Sequence, residues 1–227
     1  MTKPTLYYHP GSPPARACVM VAREIGLDIE LKLIDFQSME HTSEAYSKIN
    51  PAQTVPSFSD NNFIINDSHA ICLYMIEKYA KSDQLYPKNN PKLRTIINDR
   101  LFFDASFLFP RGYNIMYPVF ILGQSSIPKE MVNQIYRAYK VVERFLTNSK
   151  WIATNDQMTL ADIAMFAWFE AFTRLFTIEN YPKIAVWLSR MRNLDSYEEM
   201  KIGAKQQADQ FLTVMEQNKI FSTFGQK

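Results

Sequence analysis

The stretch Leu6–Arg16 constrains the fold of this chain most, because it predicts a strand, a tight turn and a helix start in succession. The two tyrosines after Leu6 favour a strand, and Pro10-Gly11 is a typical turn sequence. Ser12 is a preferred N-cap, and Pro13 suits the first helical position, where no backbone N–H is needed. The stretch therefore predicts a hydroxyl at the positive end of a helix, a place that favours an anion.

Length, charge and cysteine content limit the possible functions. A chain of 227 residues with 47% hydrophobic and 21% charged residues is expected to bury a substantial core in one large or two modest domains. A net charge of +2 without a block of Lys or Arg gives no support for nucleic-acid binding. Cys18 and Cys72 are the two cysteines, and both lie in predicted helices, which fits a reducing compartment better than a disulfide scaffold. No signal peptide or membrane span is visible, so we expect a cytoplasmic protein without a membrane partner.

Strands and helices alternate over the first 80 residues. The predicted order is βαβ, then α, then ββα. The corresponding ranges are 4–8, 13–25, 29–35, 44–49, 55–59, 63–66 and 68–79, with a hairpin turn at 60–62.

The composition changes after residue 80. Residues 81–91 are polar and contain two prolines, which is typical of a linker. From residue 92 onward no clear strand is visible, and helices are predicted at 92–120, 128–148, 159–175, 181–192 and 198–217. We therefore predict a small α/β domain at 1–80, a linker at 81–91 and an all-helical domain at 92–227.

Two further segments follow the pattern of strand ends and helix starts. In Asn50–Pro56, Pro56 precedes a predicted strand and its peptide bond is a candidate for cis. A cis bond would leave the Val55 backbone free to pair with an extended peptide, whereas the spacing alone favours an ordinary loop. Asn66–Ala70 is a second helix start rich in capping residues, and by itself it indicates simple capping.

Together the three segments match the glutathione site of a thioredoxin-like domain, and the chain resembles the insect cytosolic glutathione S-transferases of the delta and epsilon classes. The epsilon class is more similar, since Ser-Pro-Pro-Ala-Arg from Ser12 and Asp-Ser-His-Ala-Ile from Asp67 are typical there. The resemblance covers nearly the whole chain, with further matching segments at 85–87, 100–104, 108–111 and 158–162. It implies an α+β fold, in which a thioredoxin-like domain precedes an all-helical domain.

The resemblance also implies a function. The expected enzyme is a transferase that conjugates the glutathione thiolate to small hydrophobic electrophiles, as in the detoxification of xenobiotics. Glutathione would be the co-substrate, no metal is expected, and the protein is expected to be a homodimer. A carrier of hydrophobic ligands without catalytic activity is an alternative of a different class, against which the presence of Ser12 and of Asp67-Ser68 argues.

Ser12 matches the catalytic serine of the family, whose hydroxyl donates a hydrogen bond to the glutathione sulfur and favours the thiolate. Tyr7 is the alternative, since other classes of the family use a tyrosine near the end of the first strand. Ser12 ranks first because the insect motif around it is intact. The glutathione-binding residues implied by the resemblance are Ser12, His41, Gln53, Thr54, Val55, Pro56, Asp67, Ser68 and His69.

The implied contacts follow the three parts of glutathione. The Val55 backbone would pair with the cysteinyl part, and Asp67 with Ser68 would hold the γ-glutamyl ammonium and carboxylate. His41 matches a histidine near the glycyl carboxylate. Gln53 is a departure, because the insect classes usually carry histidine there; its amide can donate to a carboxylate but supplies no charge.

The helical domain is expected to supply the hydrophobic substrate pocket. Helix 92–120 carries too many large apolar groups for one core stripe, so some of them are expected at a pocket or a subunit interface. The pocket residues implied by the resemblance are Pro14, Phe107, Arg111, Tyr113, Met116, Tyr117, Phe120, Phe211 and Met215.

A narrower resemblance concerns the Noppera-bo branch of insect transferases, which is linked to ecdysteroid production. The shared segments are 18–20, 67–71, 106–109 and the region around Tyr197. That branch carries an acidic residue in the steroid pocket shortly after the arginine of the central helix. This chain has Gly112-Tyr113 there, which weakens the alternative of a specialised steroid-pathway transferase.

Overall fold

A mixed four-stranded sheet occupies the first part of the chain in the computed structural model, which describes residues 3–124 and 126–217. The spatial order of the strands is β2-β1-β3-β4. β1 is parallel to β2 and antiparallel to β3, which in turn pairs antiparallel with β4. The strands are β1 (Thr5–Tyr8), β2 (Glu30–Leu33), β3 (Ser57–Asp60) and β4 (Phe63–Ile65).

Three helices accompany the sheet: α1 (Pro13–Glu24), α2 (Glu44–Ser47) and α3 (Ser68–Tyr79). Both predicted helix starts are confirmed, because Ser12 Oγ accepts from the Ala15 N–H at 3.4 Å and Asp67 Oδ1 accepts from the Ala70 N–H at 3.0 Å. Each side chain thus pairs one of the N–H groups that a helix start leaves without a partner. A short 3₁₀ turn at Glu40–Thr42, which the sequence did not predict, precedes α2.

The second part of the described chain is helical. Its elements are α4 (Pro91–Phe103), a π-helical segment (Asp104–Leu108), α5 (Phe109–Phe120), α6 (Lys129–Phe145), α7 (Leu160–Phe172), α8 (Pro182–Met191) and α9 (Tyr197–Gln217). This confirms the predicted α+β class. The domain bounds stay predictions, and residues 1–2, 125 and 218–227 of the predicted ranges lie outside the described residues.

The helix predicted over 92–120 is confirmed in its extent, but it is not regular throughout, because a π segment lies between α4 and α5. Pro110 explains the interruption. It has no N–H to donate to the carbonyl of Ser106, and in a regular α-helix its ring would collide with that carbonyl. A wider π turn accommodates the proline without ending the helix.

Helix α7 is the centre of the helical part, and all thirteen of its residues are buried. Asp162 fixes its first turn, since its carboxylate accepts from the Thr159 N–H at 2.9 Å, the Ile152 N–H at 2.8 Å and Trp187 Nε1 at 3.0 Å. Burial raises the pKa of Asp162 to about 6, against these donors, which favour the ionised form. Among residues 3–124 and 126–217 we find no helix long and apolar enough to cross a membrane.

Candidate functional site

The turn before α1 brings Ser12 next to Val55. The turn is closed by a hydrogen bond from the Ser12 N–H to the His9 carbonyl at 2.9 Å. The Ser12 hydroxyl donates to the Val55 carbonyl at 3.4 Å, although the two residues are 43 positions apart. The Val55–Pro56 peptide bond is cis, the conformation that the sequence had left open. Two of the predicted site residues therefore meet at the positive end of α1.

The loop that carries Val55 is held by buried polar groups. Asn50 Nδ2 donates to the Thr54 carbonyl at 2.7 Å, and the Tyr46 hydroxyl donates to the same carbonyl at 2.9 Å. Asn50 Oδ1 accepts from the Ala52 N–H at 2.9 Å. The sequence analysis assigned no role to Tyr46 or Asn50, and the only signal was the position of Asn50 at the start of the proline-containing segment. Both residues position the Val55 backbone from behind.

Asp67 and Ser68 lie at the start of α3. Asp67 is exposed and Ser68 is half-buried. The Cys18 thiol of α1 donates to the Ser68 carbonyl at 3.7 Å, so the first turn of α3 lies against the second turn of α1. Two helix N-terminal ends therefore face the same region, and both favour a negatively charged ligand.

His41 and Gln53 lie at the 3₁₀ turn, where Gln53 Nε2 donates to the Thr42 carbonyl at 3.2 Å. The His41 ring meets the edge of Phe36, which in turn stacks on His9 with the centroids 4.2 Å apart. Burial lowers the pKa of His41, and among the described residues its Nδ1 has no hydrogen-bond partner. His41 is therefore a neutral imidazole at neutral pH, so neither it nor Gln53 supplies a full positive charge.

His9 was part of the predicted turn but had no predicted role. Its Nδ1 accepts from the Gly11 N–H at 3.0 Å, and a Cβ on Gly11 would lie only 3.0 Å from the same ring nitrogen. Burial lowers the pKa of His9 and outweighs the charge of Asp35, which by itself would raise it. The lowered pKa favours the neutral imidazole, whose Nδ1 can accept. The imidazole thus stabilises the turn that presents Ser12.

His69 pairs with Asp104 of the π segment, with Nε2 and Oδ2 2.9 Å apart and both side chains largely buried. Burial by itself would lower the pKa of His69, but the hydrogen bond and charge of Asp104, followed by the charge of Asp67, raise it. The pair links α3 to the helical part of the chain. The predicted contact of His69 with glutathione stays a prediction.

Tyr7, the alternative to Ser12, is engaged with the sheet. Along β1 its side chain points opposite to that of the buried Leu6. Its ring meets the edge of Tyr46 at a centroid distance of 6.1 Å, and Lys32 Nζ lies 5.1 Å from its centroid. These contacts indicate that Tyr7 packs against the neighbouring side chains. Ser12, in contrast, lies at the start of α1.

The predicted pocket residues divide into open and interior groups. Tyr113 and Tyr117 stack on each other with centroids 5.3 Å apart, and 48% and 40% of their surfaces remain exposed. Phe107, Pro14 and Phe120 are half-buried, and Phe120 packs against the edge of Phe211. The structure places Met116, Phe211 and Met215 in the interior. The two tyrosines are thus the members most accessible to a ligand.

Arg111 of α5 contacts Phe107 of the π segment and Gln134 of α6. Its guanidinium lies 3.3 Å from the centroid of Phe107, and it donates to the Phe107 carbonyl at 2.5 Å and to Gln134 Oε1 at 3.3 Å. Burial lowers the pKa of Arg111, with a smaller contribution from the charge of Arg137.

Gly112 lies where α5 and α7 approach each other closely. A Cβ at this position would lie 2.6 Å from both Phe172 Cζ and Trp168 Nε1. A carboxylate side chain at 112 would therefore require α5 and α7 to move apart. The acidic residue of the narrower branch has no counterpart at Gly112, and the residue that follows is the half-exposed Tyr113.

No group of three or more His, Cys, Asp or Glu residues that could hold a metal ion occurs in the part of the chain that the structure describes.

Comparison with known proteins identifies the family of this chain. Residues 6–83 match the N-terminal domain of glutathione S-transferases, and residues 115–195 match their C-terminal domain. Glutathione S-transferase 1 of Manduca sexta is 38% identical over 86% of this chain and 90% of its own. The structure of an epsilon-class glutathione S-transferase from the housefly Musca domestica is similar with a TM-score of 0.89 and 36% identity, over 93% of this chain and 98% of that one. A Drosophila mojavensis homologue with bound glutathione has a TM-score of 0.89 and 32% identity, over 96% and 98% of the two chains.

Proposed function

This chain belongs to the glutathione S-transferase family and is a glutathione-dependent transferase, and we propose that the Ser12 hydroxyl is its catalytic group. The observation that carries the proposal is the position of this hydroxyl at the N-terminal end of α1, 3.4 Å from the Val55 carbonyl. A cysteinyl residue paired with the Val55 backbone would bring its sulfur to the Ser12 side of that carbonyl.

Ser12 acts by favouring the thiolate over the thiol. Its oxygen accepts from the Ala15 N–H, so its one hydrogen is free to turn from the Val55 carbonyl to a sulfur anion. A free thiol has a pKa of about 8.5, and helix N-termini and hydrogen-bond donors lower it. A fall of about two units corresponds to ~2.7 kcal/mol of preference for the thiolate. Ser12 therefore stabilises an anion and forms no covalent bond itself.

The remaining parts of glutathione fit the surrounding residues. The Asp67 carboxylate complements the γ-glutamyl ammonium, while Ser68 and the start of α3 complement the neighbouring carboxylate. Gln53 and the neutral His41 offer hydrogen bonds to the glycyl carboxylate. We also propose that His69 contributes chiefly through its pair with Asp104, which holds α3 in place.

The electrophile binds beside the glutathione sulfur against Tyr113 and Tyr117, whose half-exposed rings form an apolar wall. Binding both reactants side by side supplies proximity. With an aryl chloride, the sulfur forms a bond to the ring carbon and chloride leaves with its bonding pair. The broad substrate class is small hydrophobic electrophiles, which fits a role in detoxification within the cytoplasm.

We further propose that the protein works as a homodimer. The Phe102 side chain on α4 is 71% exposed, so it is available to a contact with a second copy of the chain. A self-complementary interface that includes α4 would bury it. Size-exclusion chromatography with light scattering is expected to give twice the chain mass of 26.5 kDa.

The proposal is tested by conjugation of glutathione to a chloronitrobenzene, together with titration of the bound thiolate by its ultraviolet absorbance. Ser12→Ala is expected to lose most of the activity and to raise the pKa of the bound thiol. Tyr7→Phe is the matched control, because it removes the competing hydroxyl, and it is expected to change neither quantity. Loss of thiolate in Tyr7→Phe but not in Ser12→Ala would overturn the assignment.

A further inference from the structure

Arg16 joins three parts of the chain at one buried guanidinium. It follows Ser12 by one helical turn and is only 3% exposed. Its Nη1 donates to the Pro10 carbonyl at 2.8 Å, and its Nη2 donates to the Ala167 carbonyl of α7 at 2.8 Å and to Gln207 Oε1 of α9 at 2.9 Å. Burial lowers the pKa of Arg16 to about 9, so the group is still charged at neutral pH. The turn that presents Ser12 is thus tied to α9 through Arg16.

Gly203 brings α9 into direct contact with the same turn. It is buried, and a Cβ at this position would lie 2.4 Å from the Pro10 oxygen and 2.9 Å from the Pro10 carbonyl carbon. Both atoms belong to the backbone, so a side chain at 203 cannot be accommodated by a rotamer change. The Pro10 carbonyl is therefore held between the Arg16 guanidinium and the bare backbone of Gly203.

Helix α9 is itself anchored to α1 near its N-terminal end. Arg23 Nε pairs with Glu199 at 2.6 Å, and the Ser196 hydroxyl donates to Glu24 at 2.5 Å. The buried face of α9 packs through residues that include Ala204. With these contacts in place, a clash at Gly203 is relieved more easily by the turn than by a movement of the whole helix.

We propose that Gly203 and Gln207 are positioning residues that set the place of the Ser12 hydroxyl. Gly203 does so by its close approach to the Pro10 carbonyl, and Gln207 by accepting from Arg16, which donates to that carbonyl. Pro10 precedes Ser12 by two residues in a turn closed by the hydrogen bond from Ser12 N–H to His9, so a displaced Pro10 carries Ser12 with it. This inference rests on the proposed role of Ser12. It assigns to the last described helix a part in activating glutathione.

The test compares the pKa of enzyme-bound glutathione in Gly203→Ala and Gln207→Leu with that in the unchanged protein. Both variants are expected to raise this pKa by about half a unit to one unit and to lower kcat/KM at pH 6.5 roughly tenfold, because small misplacements of a catalytic group are costly. The KM for glutathione is expected to stay within about twofold. Gln207→Glu keeps an acceptor for Arg16 and is expected to restore the thiolate.

Gln206→Leu is the matched control, since Gln206 is the exposed neighbour of the half-buried Gln207. It is expected to leave the bound-thiol pKa unchanged. A merely structural role for α9 would lower the thermal stability of Gln207→Leu without moving that pKa, and this result would overturn the inference. If Gly203→Ala fails to fold, the Gln207 variants decide the question.

Ser12→Ala, measured in parallel, distinguishes the proposed role of Ser12 from the proposed positioning role of α9. If Ser12→Ala raises the bound-thiol pKa and the α9 variants do not, only the positioning role is wrong. If Ser12→Ala leaves that pKa unchanged, the proposed role of Ser12 is wrong and the inference about α9 falls with it.

Discussion

The Ser12 hydroxyl and the Val55 carbonyl lie 3.4 Å apart, on two loops that are 43 positions apart in the sequence. One side chain thereby caps a helix and contacts the backbone that an extended peptide would pair with. Because a hydroxyl has a single hydrogen to donate, its bond to Val55 and a bond to a bound sulfur exclude each other. The contact therefore shows that the hydroxyl points toward the Val55 backbone.

The capping and catalytic contributions of Ser12 are separable. Ser12→Ala is expected to lower the free energy of unfolding by about 1 kcal/mol or less, since the capping bond to Ala15 is long at 3.4 Å. Ser12→Thr keeps a hydroxyl and is expected to retain the cap and part of the conjugation activity. Denaturant unfolding and steady-state kinetics on the same samples measure both effects. If Ser12→Ala lowered the free energy of unfolding by several kcal/mol, its loss of activity would be explained by unfolding instead.

Asp67 caps α3 and has a proposed role in binding glutathione, which two substitutions distinguish. Asp67→Asn keeps an oxygen that accepts from the Ala70 N–H but removes the charge that complements the γ-glutamyl ammonium. It is expected to raise the KM for glutathione about tenfold with little change in stability. Asp67→Ala removes both functions and is expected to cost about 1 kcal/mol of stability in addition. Equal KM values for Asp67→Asn and the unchanged protein would contradict the proposed contact with the ammonium.

The pair of His69 and Asp104 makes stability depend on pH. The pKa of His69 is raised above its usual value of 6.5 in the folded protein, so the stabilisation is fully present below pH 6.5 and is lost as the pH rises through the raised value. Asp104→Asn is expected to lower the free energy of unfolding by about 1–3 kcal/mol at pH 6 and by less at pH 9. Unfolding at both pH values, at one protein concentration, measures the difference.

His69→Gln provides the control for that prediction. It removes the titrating group, so adding Asp104→Asn to it is expected to produce nearly the same loss at pH 6 and at pH 9. An equal pH dependence with and without His69 would show that another group is responsible.

The two cysteines face each other in the interior. Cys18 Sγ and Cys72 Sγ are 3.7 Å apart, and both thiols are free and buried between α1 and α3. Burial, followed by the hydrogen bond from Cys72, raises the pKa of Cys18 well above its usual value. Both thiols are expected to react with an aromatic disulfide reagent at least roughly a thousandfold more slowly in the native protein than in denaturant. Rapid labelling of one thiol under native conditions would mean that α1 and α3 separate.

Local signals made the first part of the chain predictable. The N-caps at Ser12 and Asp67 and the turn at Pro10 depend on side chains within a few residues, and the structure has each of them where the sequence predicts it. The π segment was missed because the apolar pattern of 92–120 continues through it. Pro110 and Pro118 both lie inside the predicted helix, and the π segment accompanies only the first of them.

The supporting contacts were not predictable, because they join residues that are distant in the sequence. Arg16 reaches Gln207 across 191 positions, and nothing in the sequence near either residue indicates the other. The engagement of Arg111 by Gln134 is of the same kind, since the two residues are 23 positions apart on different helices. Composition correctly indicated an aromatic helix but did not indicate which of its rings would be left open.

The π segment Asp104–Leu108 sets the angle about the helix axis at which α5 presents Tyr113 and Tyr117. Each residue of an α-helix turns the chain by about 100°, so one additional residue in a wide turn rotates every later side chain by that angle about the helix axis. The side chains of α5 are consequently rotated about the helix axis relative to the positions that a continuous α-helix would give them. Deleting a single residue there would carry Tyr113 and Tyr117 around the axis with their chemistry intact. The length of the π segment therefore affects the proposed substrate pocket as much as the identity of the side chains on α5 does.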